Sequence, residues 1–276
     1  MNKAELDRIN QSLIQRHGLS IHVYEDTFVH KSIQQQMLLN NCSNLDEYAG
    51  LISGSLKESS ELFDRLTNSH SEFFRNTMTF ALIEHVLLPE IFHQSTNHEM
   101  RIWSAGCAAG QEPYSVAILA HEYLKTQAFK KKVRIFASDI SEKNLTKARN
   151  AQYTSSSLKQ LRLGLLENNF YEKSAVYTLK HDLKEMVDFS FYNLVSEGLV
   201  APPASLFGNF DLILCCNVMI YYKPYYQQMI LAKIQKSLVA GGYFVCGESE
   251  TALLASVIGF KQAFGFGPVF KKTANS

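Results

Sequence analysis

The sequence predicts an α/β protein, a doubly wound, mostly parallel sheet preceded by a small all-α domain and interrupted by a small β insertion. Three observations predict it. Up to about residue 88 apolar residues recur at helical spacing with few β-branched runs. Beyond that point short apolar strands alternate with helical segments, the pattern of a parallel sheet covered by helices. The first of those strands, Arg101 to Ala105, runs through a two-glycine turn straight into a helix, an arrangement that holds nucleotide-like ligands.

In chain order, Leu6, Ile9, Leu13 and Ile14 share one helical face, and Gly18 ends that helix. Helices follow over Asp26 to Asn40, Asn44 to Ser53, Glu58 to Asn68 and Ser71 to Leu88, with polar joints such as 40–44 between them. The alternating part predicts strand 101–105 and helix 111–127, strand 133–138 and helix 141–150, strands 186–191 and 210–216, helix 224–238 and strand 241–247. Between 159 and 187 the alternation breaks into charged, leucine-rich and short strand-like pieces such as 175–179, which predicts an insertion on the sheet. The expected division is a helical domain over 1–88 and a sheet domain over 89–276. The tail Lys271 to Ser276 is expected to fray.

Composition narrows the function. The 276 residues, 46% hydrophobic and 19% charged, suffice for an ordinary core. A formal net charge of +1 shows no commitment to nucleic acid or to an anionic membrane surface. No apolar run approaches the roughly 20 residues of a spanning helix, and the N-terminus lacks the apolar core of a signal peptide, so a cytoplasmic protein without membrane insertion is expected. The five cysteines, Cys42, Cys107, Cys215, Cys216 and Cys246, form no C-x-x-C pair and have no histidine at zinc spacing. Reduced, mostly buried thiols and no metal site are expected.

The ends of the strands carry the candidate chemistry, because open α/β sheets bind ligands beyond their carboxyl edge. Gly106 and Gly110 remove side chains where a backbone must come close to a ligand, and the N–H groups of the next helix face the same place. A dinucleotide fingerprint needs three glycines; here there are two, with Glu112 just beyond. An acid there repels a pyrophosphate and suits a cationic amine or sulfonium, and S-adenosylmethionine carries both. Asp139 ends the second strand, where it can take ribose hydroxyls or cap the helix beginning near Ser141. Asn193 follows the third strand and can meet an adenine edge or serve as a turn residue. The fourth strand places Asn217 and Tyr221 at its mouth.

Trp103-Ser-Ala-Gly-Cys-x-x-Gly-x-Glu-Pro-Tyr-Ser115, Ala137-Ser-Asp-Ile140, Asn217-Val-Met-Ile-Tyr221 and Gly241-Gly-Tyr-Phe-x-x-Gly-x-Ser-Glu250 resemble, in order and spacing, the CheR family of chemotaxis methyltransferases. The likeness covers nearly the whole chain, since the family's helical domain also ends in a segment like Leu66 to Arg75. It implies a seven-stranded class I methyltransferase sheet, S-adenosylmethionine as cofactor and S-adenosylhomocysteine as product. The implied reaction is methyl transfer to glutamate carboxylates of methyl-accepting receptors. Carried over residue by residue, it places Glu112 at the methionyl amino group, Asp139 at the ribose, and Asn193 with Leu194 and Cys216 with Asn217 around the adenosine. Ala105, Gly106, Ser69, Ser71 and Arg75 complete the cofactor set, and Arg75 and Tyr221 lie beside the transferring methyl.

The chain departs from the family pattern in places. Ser69 and Ser71 stand where the family has Asn and Thr, Gln111 replaces a glutamate, and Cys216 replaces the arginine before the Asn217 run. The stretch Phe28 to Met37 keeps little of the positive charge with which members meet an acidic receptor helix. Over the first sixty residues Lys3, Arg8, Arg16, Lys31 and Lys57 face seven acids, so long-range attraction to an acidic partner is expected to be weak. The expected partner is the cytoplasmic helices of a receptor, met by a monomer without docking of a receptor C-terminal peptide. The alternative is a non-catalytic signalling adaptor that keeps the fold and binds the cofactor or its demethylated product.

Overall fold

The computed structural model describes residues 3–67, 70–94, 99–127, 131–205, 208–255 and 257–273. The chain forms two compact units, Met1–Ser69 with Tyr221–Gln228, and His70–Ile220 with Met229–Ser276. The division falls near residue 69 rather than 88, because the helices after residue 76 bury Phe80, Ile83, Leu87 and Leu88 in the core of the sheet unit.

The first unit contains α1 (Lys3–His17), α2 (Asp26–Leu39), α3 (Leu45–Gly54) and α4 (Leu56–Leu66). Ile9, Leu13, Ile33, Ile52 and Leu62 are fully buried at its centre. Asn44 and Ser55 cap α3 and α4 by accepting the N–H groups of Glu47 and Glu58. That cap starts α4 at Leu56 and fixes its phase. Tyr48 and Asn40 both donate to the buried Glu58 carboxylate, at 2.7 and 2.9 Å. The segment 221–228 returns to this unit: Tyr24 bridges Tyr222 in antiparallel fashion, and Lys223 pairs with Asp26 at 2.7 Å.

The second unit begins differently from the expectation of one helix over 71–88. Residues 70–76 are irregular, with Phe74 and Asn76 at φ +53° and +66°. Helix α5 (Thr77–Leu82) continues through a π-helical turn, Ile83–Leu87, into α6 (Leu88–Gln94). Apolar periodicity does not report the break, because the irregular segment buries the apolar Phe73 and Phe74 as a helix face would be expected to. Strand β1 (Glu99–Ala105) then leads to α7 (Gln111–Lys125), and β2 (Lys132–Asp139) to α8 (Glu142–Asn150).

The insertion starts earlier than expected, at residue 152. It comprises β3 (Gln152–Thr154), α9 (Leu163–Asn169), β4 (Phe170–Lys173) and β5 (Val176–Leu179), whose strands form a separate sheet in the order β3-β5-β4. After α10 (His181–Glu185) the main sheet resumes with β6 (Val187–Phe191) and β7 (Phe210–Cys215). It continues with α11 (Pro224–Ser237), β8 (Leu238–Cys246), α12 (Thr251–Leu254), β9 (Phe260–Gln262) and β10 (Val269–Lys272). The strand order is β6-β2-β1-β7-β8-β10-β9, seven strands, with only the pairings of β10 antiparallel. Lys271 and Lys272 therefore lie in the sheet instead of fraying; residues 274–276 are outside the described set. The order reverses between β1 and β7, which places the ligand-binding crevice at their carboxyl ends.

Candidate functional site

The glycine turn after β1 is built from backbone. Gly106 and Cys107 donate to the Ser138 carbonyl at 2.8 and 3.0 Å, which ties the turn to the end of β2. Gly106, Ala108 and Gly110 take φ of +76°, +48° and +90°. Both glycines also have close protein neighbours. A Cβ on Gly106 would sit 2.6 Å from a Val218 methyl, and one on Gly110 would sit 2.9 Å from Ala148 Cβ on α8. The turn is a packed scaffold, and Gly110 starts α7 so that its first turn points across the end of the sheet.

Glu112 stands in that first turn. Its Oε1 accepts the Ser104 hydroxyl at 2.7 Å. Burial pushes its carboxyl up to about 7, and the negative charge of Glu250 acts in the same direction. The Ser104 hydroxyl, the Cys216 thiol and the Arg75 guanidinium oppose that shift. Burial pushes the Cys216 thiol well up in turn, so Cys216 meets Glu112 as a neutral donor where the family pattern has a guanidinium.

Asp139 is 8% exposed at the end of β2. Its Oδ2 accepts the Ala108 N–H and its Oδ1 the Ser141 N–H, both at 2.9 Å. The cap of α8 is Ser141, whose hydroxyl accepts the Asn144 N–H. Asp139 thus braces the glycine turn against the start of α8. Burial raises its carboxyl despite these donors. The Asn144 side chain and the Ile140 N–H also donate to it, so ribose hydroxyls would have to share or displace donors already in place.

Asn193 follows β6, next to Tyr192, whose N–H reaches the Asp139 carbonyl at 3.0 Å. Asn193 Oδ1 accepts the Val195 N–H at 3.0 Å, the turn chemistry that competes with a ligand role. What Asn193 can offer an adenine edge is its amide NH2. Leu194 and Ala105 are buried, whereas Cys216 and Asn217 are half-buried. Asn217 takes φ +59°, so its side chain leaves the strand direction at the mouth of β7.

The 70–76 segment approaches from the other side. Phe73 is fully buried with its ring edge-on to Tyr153 and Phe170, and the Phe74 N–H donates to the Ser115 hydroxyl on α7 at 3.0 Å. Ser71 is half-buried, and Arg75 is exposed with Nη1 donating to the His70 carbonyl at 3.3 Å. Ser69 lies outside the described residues. Tyr221 belongs to the first unit, where its ring lies 4.6 Å from Phe28 and its carbonyl accepts the Glu25 N–H.

The sheet unit therefore brings Glu112, Asp139, Asn193, Cys216, Asn217 and Arg75 around the carboxyl ends of β1, β2 and β7. Ser104, the Ser138 carbonyl and Glu250 also shape this site, and no motif assigned them a task. Ser104 had a signal, since alternate residues of a strand share a face; Ser138 acts through a carbonyl every residue possesses. No group of three or more His, Cys, Asp or Glu suited to a metal occurs among the described residues. The half-buried Glu112 carboxyl, raised by burial, suits a cation, and Asp139 presents a second acid at the neighbouring strand end. In addition, Gln111 Oε1 is buried without a hydrogen-bond partner among the described residues. This donor and acceptor set fits S-adenosylmethionine.

Comparison with known proteins agrees. Residues 69–263 match the family model described as the CheR methyltransferase SAM-binding domain. The chemotaxis protein methyltransferase of Borreliella burgdorferi is 30% identical over 260 residues, covering 91% of this chain and 89% of that protein. Chemotaxis protein methyltransferase 1 of Pseudomonas aeruginosa is 33% identical over 201 residues, covering 71% and 70%. The chemotaxis protein methyltransferase of Escherichia coli is 29% identical over 257 residues, covering 91% and 85%. S-adenosylmethionine is the cofactor of the matched domain, and this chain belongs to the CheR methyltransferase family.

Proposed function

We propose that the protein transfers the methyl group of S-adenosylmethionine to glutamate side chains of chemotaxis receptors, giving glutamyl methyl esters. The observation that carries this reading is Glu112, which stands in the first turn of α7 at the switch point of the sheet and accepts the Ser104 hydroxyl, where a cationic amine would complete it. The bound cofactor supplies an electrophilic methyl on a sulfonium. Its chemistry would be an in-line displacement, the carboxylate oxygen taking the methyl and the sulfur keeping the electron pair of the broken bond.

A glutamate side chain is already ionised near neutral pH, so no general base is required. The chain's own residues have alignment and desolvation left to do, which supplies several kcal/mol when the reacting atoms are held near attack distance. Glu112 would hold the methionyl amine, Asp139 the ribose hydroxyls, and Asn193, Leu194, Cys216 and Asn217 the adenosine. Ala105, Gly106, Ser69 and Ser71 would complete the cofactor's surroundings. Arg75, exposed and cationic, would take the incoming carboxylate by a charge-assisted bond, and the family resemblance gives the Tyr221 hydroxyl a role at the transferring methyl.

The test incubates the protein with a labelled methyl donor and receptor-bearing membranes of its own organism, followed by mild base. Label released by base marks carboxyl methyl esters and supports the reading. Base-stable label on protein overturns it, because methylamines survive such treatment. Cofactor binding with no transfer supports the adaptor instead.

A further inference from the structure

We propose that Glu250 is a positioning residue for the cofactor site, its carboxylate clamping the 217–220 turn to the turn at Gly247. The inference rests on the cofactor reading of Asn217 given above. Glu250 is completely buried, yet no ligand role falls to it. Its Oε2 accepts the N–H groups of Gly247 and Asn217 at 2.7 and 2.9 Å, and its Oε1 accepts that of Ile220 at 3.2 Å. Donors from the exits of two adjacent strands, β7 and β8, thus converge on one side chain. Bonds of this charge-assisted kind are about twice as strong as neutral ones, and buried N–H groups have to end on some acceptor.

The clamp acts on conformation. Asn217 sits at φ +59°, a left-handed geometry that asparagine tolerates better than other non-glycine residues, and the bond from its N–H to Glu250 selects that geometry. Gly247 is what lets the two turns meet. A Cβ there would lie 2.8 Å from Asn217 Nδ2 and 2.9 Å from both Asn217 N and Glu250 Oε2. One residue further on, Val218 packs so closely on Gly106 that no Cβ fits between them. The clamp therefore sets both the Asn217 side and the glycine-turn side of the crevice, and the held turn ends one residue before Tyr221.

The experiment measures S-adenosylhomocysteine binding to the full chain by calorimetry, with thermal unfolding recorded for each variant. Glu250→Gln keeps the side-chain volume but presents an NH2 where N–H donors already point. It is expected to raise the Kd about tenfold or more, the equivalent of about 1.4 kcal/mol. Gly247→Ala, which pushes on the same turn from outside, is expected to weaken binding similarly, and it decides the matter if Glu250→Gln does not fold. Glu90→Gln, which disturbs a polar cluster with Tyr243 and Lys271, is the control and is expected to keep its Kd within about twofold. Folded Glu250→Gln and Gly247→Ala proteins that bind within twofold of the parent overturn the proposal. An equal loss in Glu90→Gln at a matched loss of thermal stability also overturns it. If the parent binds S-adenosylhomocysteine but methylates nothing, the activity reading falls and the clamp stands.

Discussion

Cofactor affinity is expected to fall steeply below neutral pH, through Glu112. With its carboxyl at about 7, only about half of the free protein carries the charge that a cationic amine needs at pH 7. At pH 6 the ionised fraction is about one in eleven, so affinity falls about fivefold, and then about tenfold for each further unit. An α-amino group keeps its proton up to about pH 7.7, so binding is expected to peak just above neutrality. The sign follows from linkage: the ligand selects the carboxylate, so binding at pH 6 releases close to one proton. Calorimetry with S-adenosylhomocysteine in buffers of different ionisation heat reads that proton directly. Glu112→Gln is expected to abolish the release and to weaken binding about tenfold or more, the worth of a hydrogen bond to a charged group. Any slope that survives in this variant belongs to Asp139 or Glu250, whose carboxyls are also raised. Absence of proton release at pH 6 in the unmodified protein would refute the account of Glu112 as a buried acid completed by a cation.

The same raised carboxyl makes folding stability fall as pH rises from the ordinary glutamate range to about 7, because the folded state binds the extra proton there. Glu112→Gln is therefore expected to raise the thermal midpoint at pH 8 and not at pH 5, as thermal melts would show. Ser104→Ala removes the hydroxyl that donates to Glu112 and is expected to move the midpoint of the binding profile to higher pH. Gly106→Ala forces a Cβ against Val218 at φ +76° and is expected to cost about 1 to 3 kcal/mol in denaturant unfolding. Arg75→Ala is expected to lower kcat about tenfold or more while S-adenosylmethionine affinity changes less, and unchanged turnover would remove Arg75 from the mechanism.

Much of this site is legible in residue order because the chemistry concentrates at strand ends. An apolar strand stopping at Ala105, Asp139 or Cys215 announces its own carboxyl edge, and the next residues are placed by connectivity alone. What stays hidden are the contacts that cross the sheet. The 70–76 segment has the composition of a helix, but the Phe74 N–H goes to Ser115, forty-one residues away, and the helix starts only at Thr77. Strands β9 and β10 are three and four residues long, too short for an alternation signal, and gain their identity from pairing, β10 with β8 and β9 with β10.

The amino-acid sequence by itself determined the class of the fold, the switch-point motif and the preference for a cationic nucleotide-like ligand, because periodicity and glycine spacing are local properties of the chain. Only the tertiary structure decided that Gly106 and Gly110 pack against Val218 and Ala148, and that Asp139 braces the glycine turn. It alone decided that burial raises the Glu112 carboxyl and that Glu250 accepts the Asn217 N–H. Burial and hydrogen-bond partners depend on residues brought together from separate strands, and no local pattern encodes which neighbour will desolvate an acid or satisfy an amide.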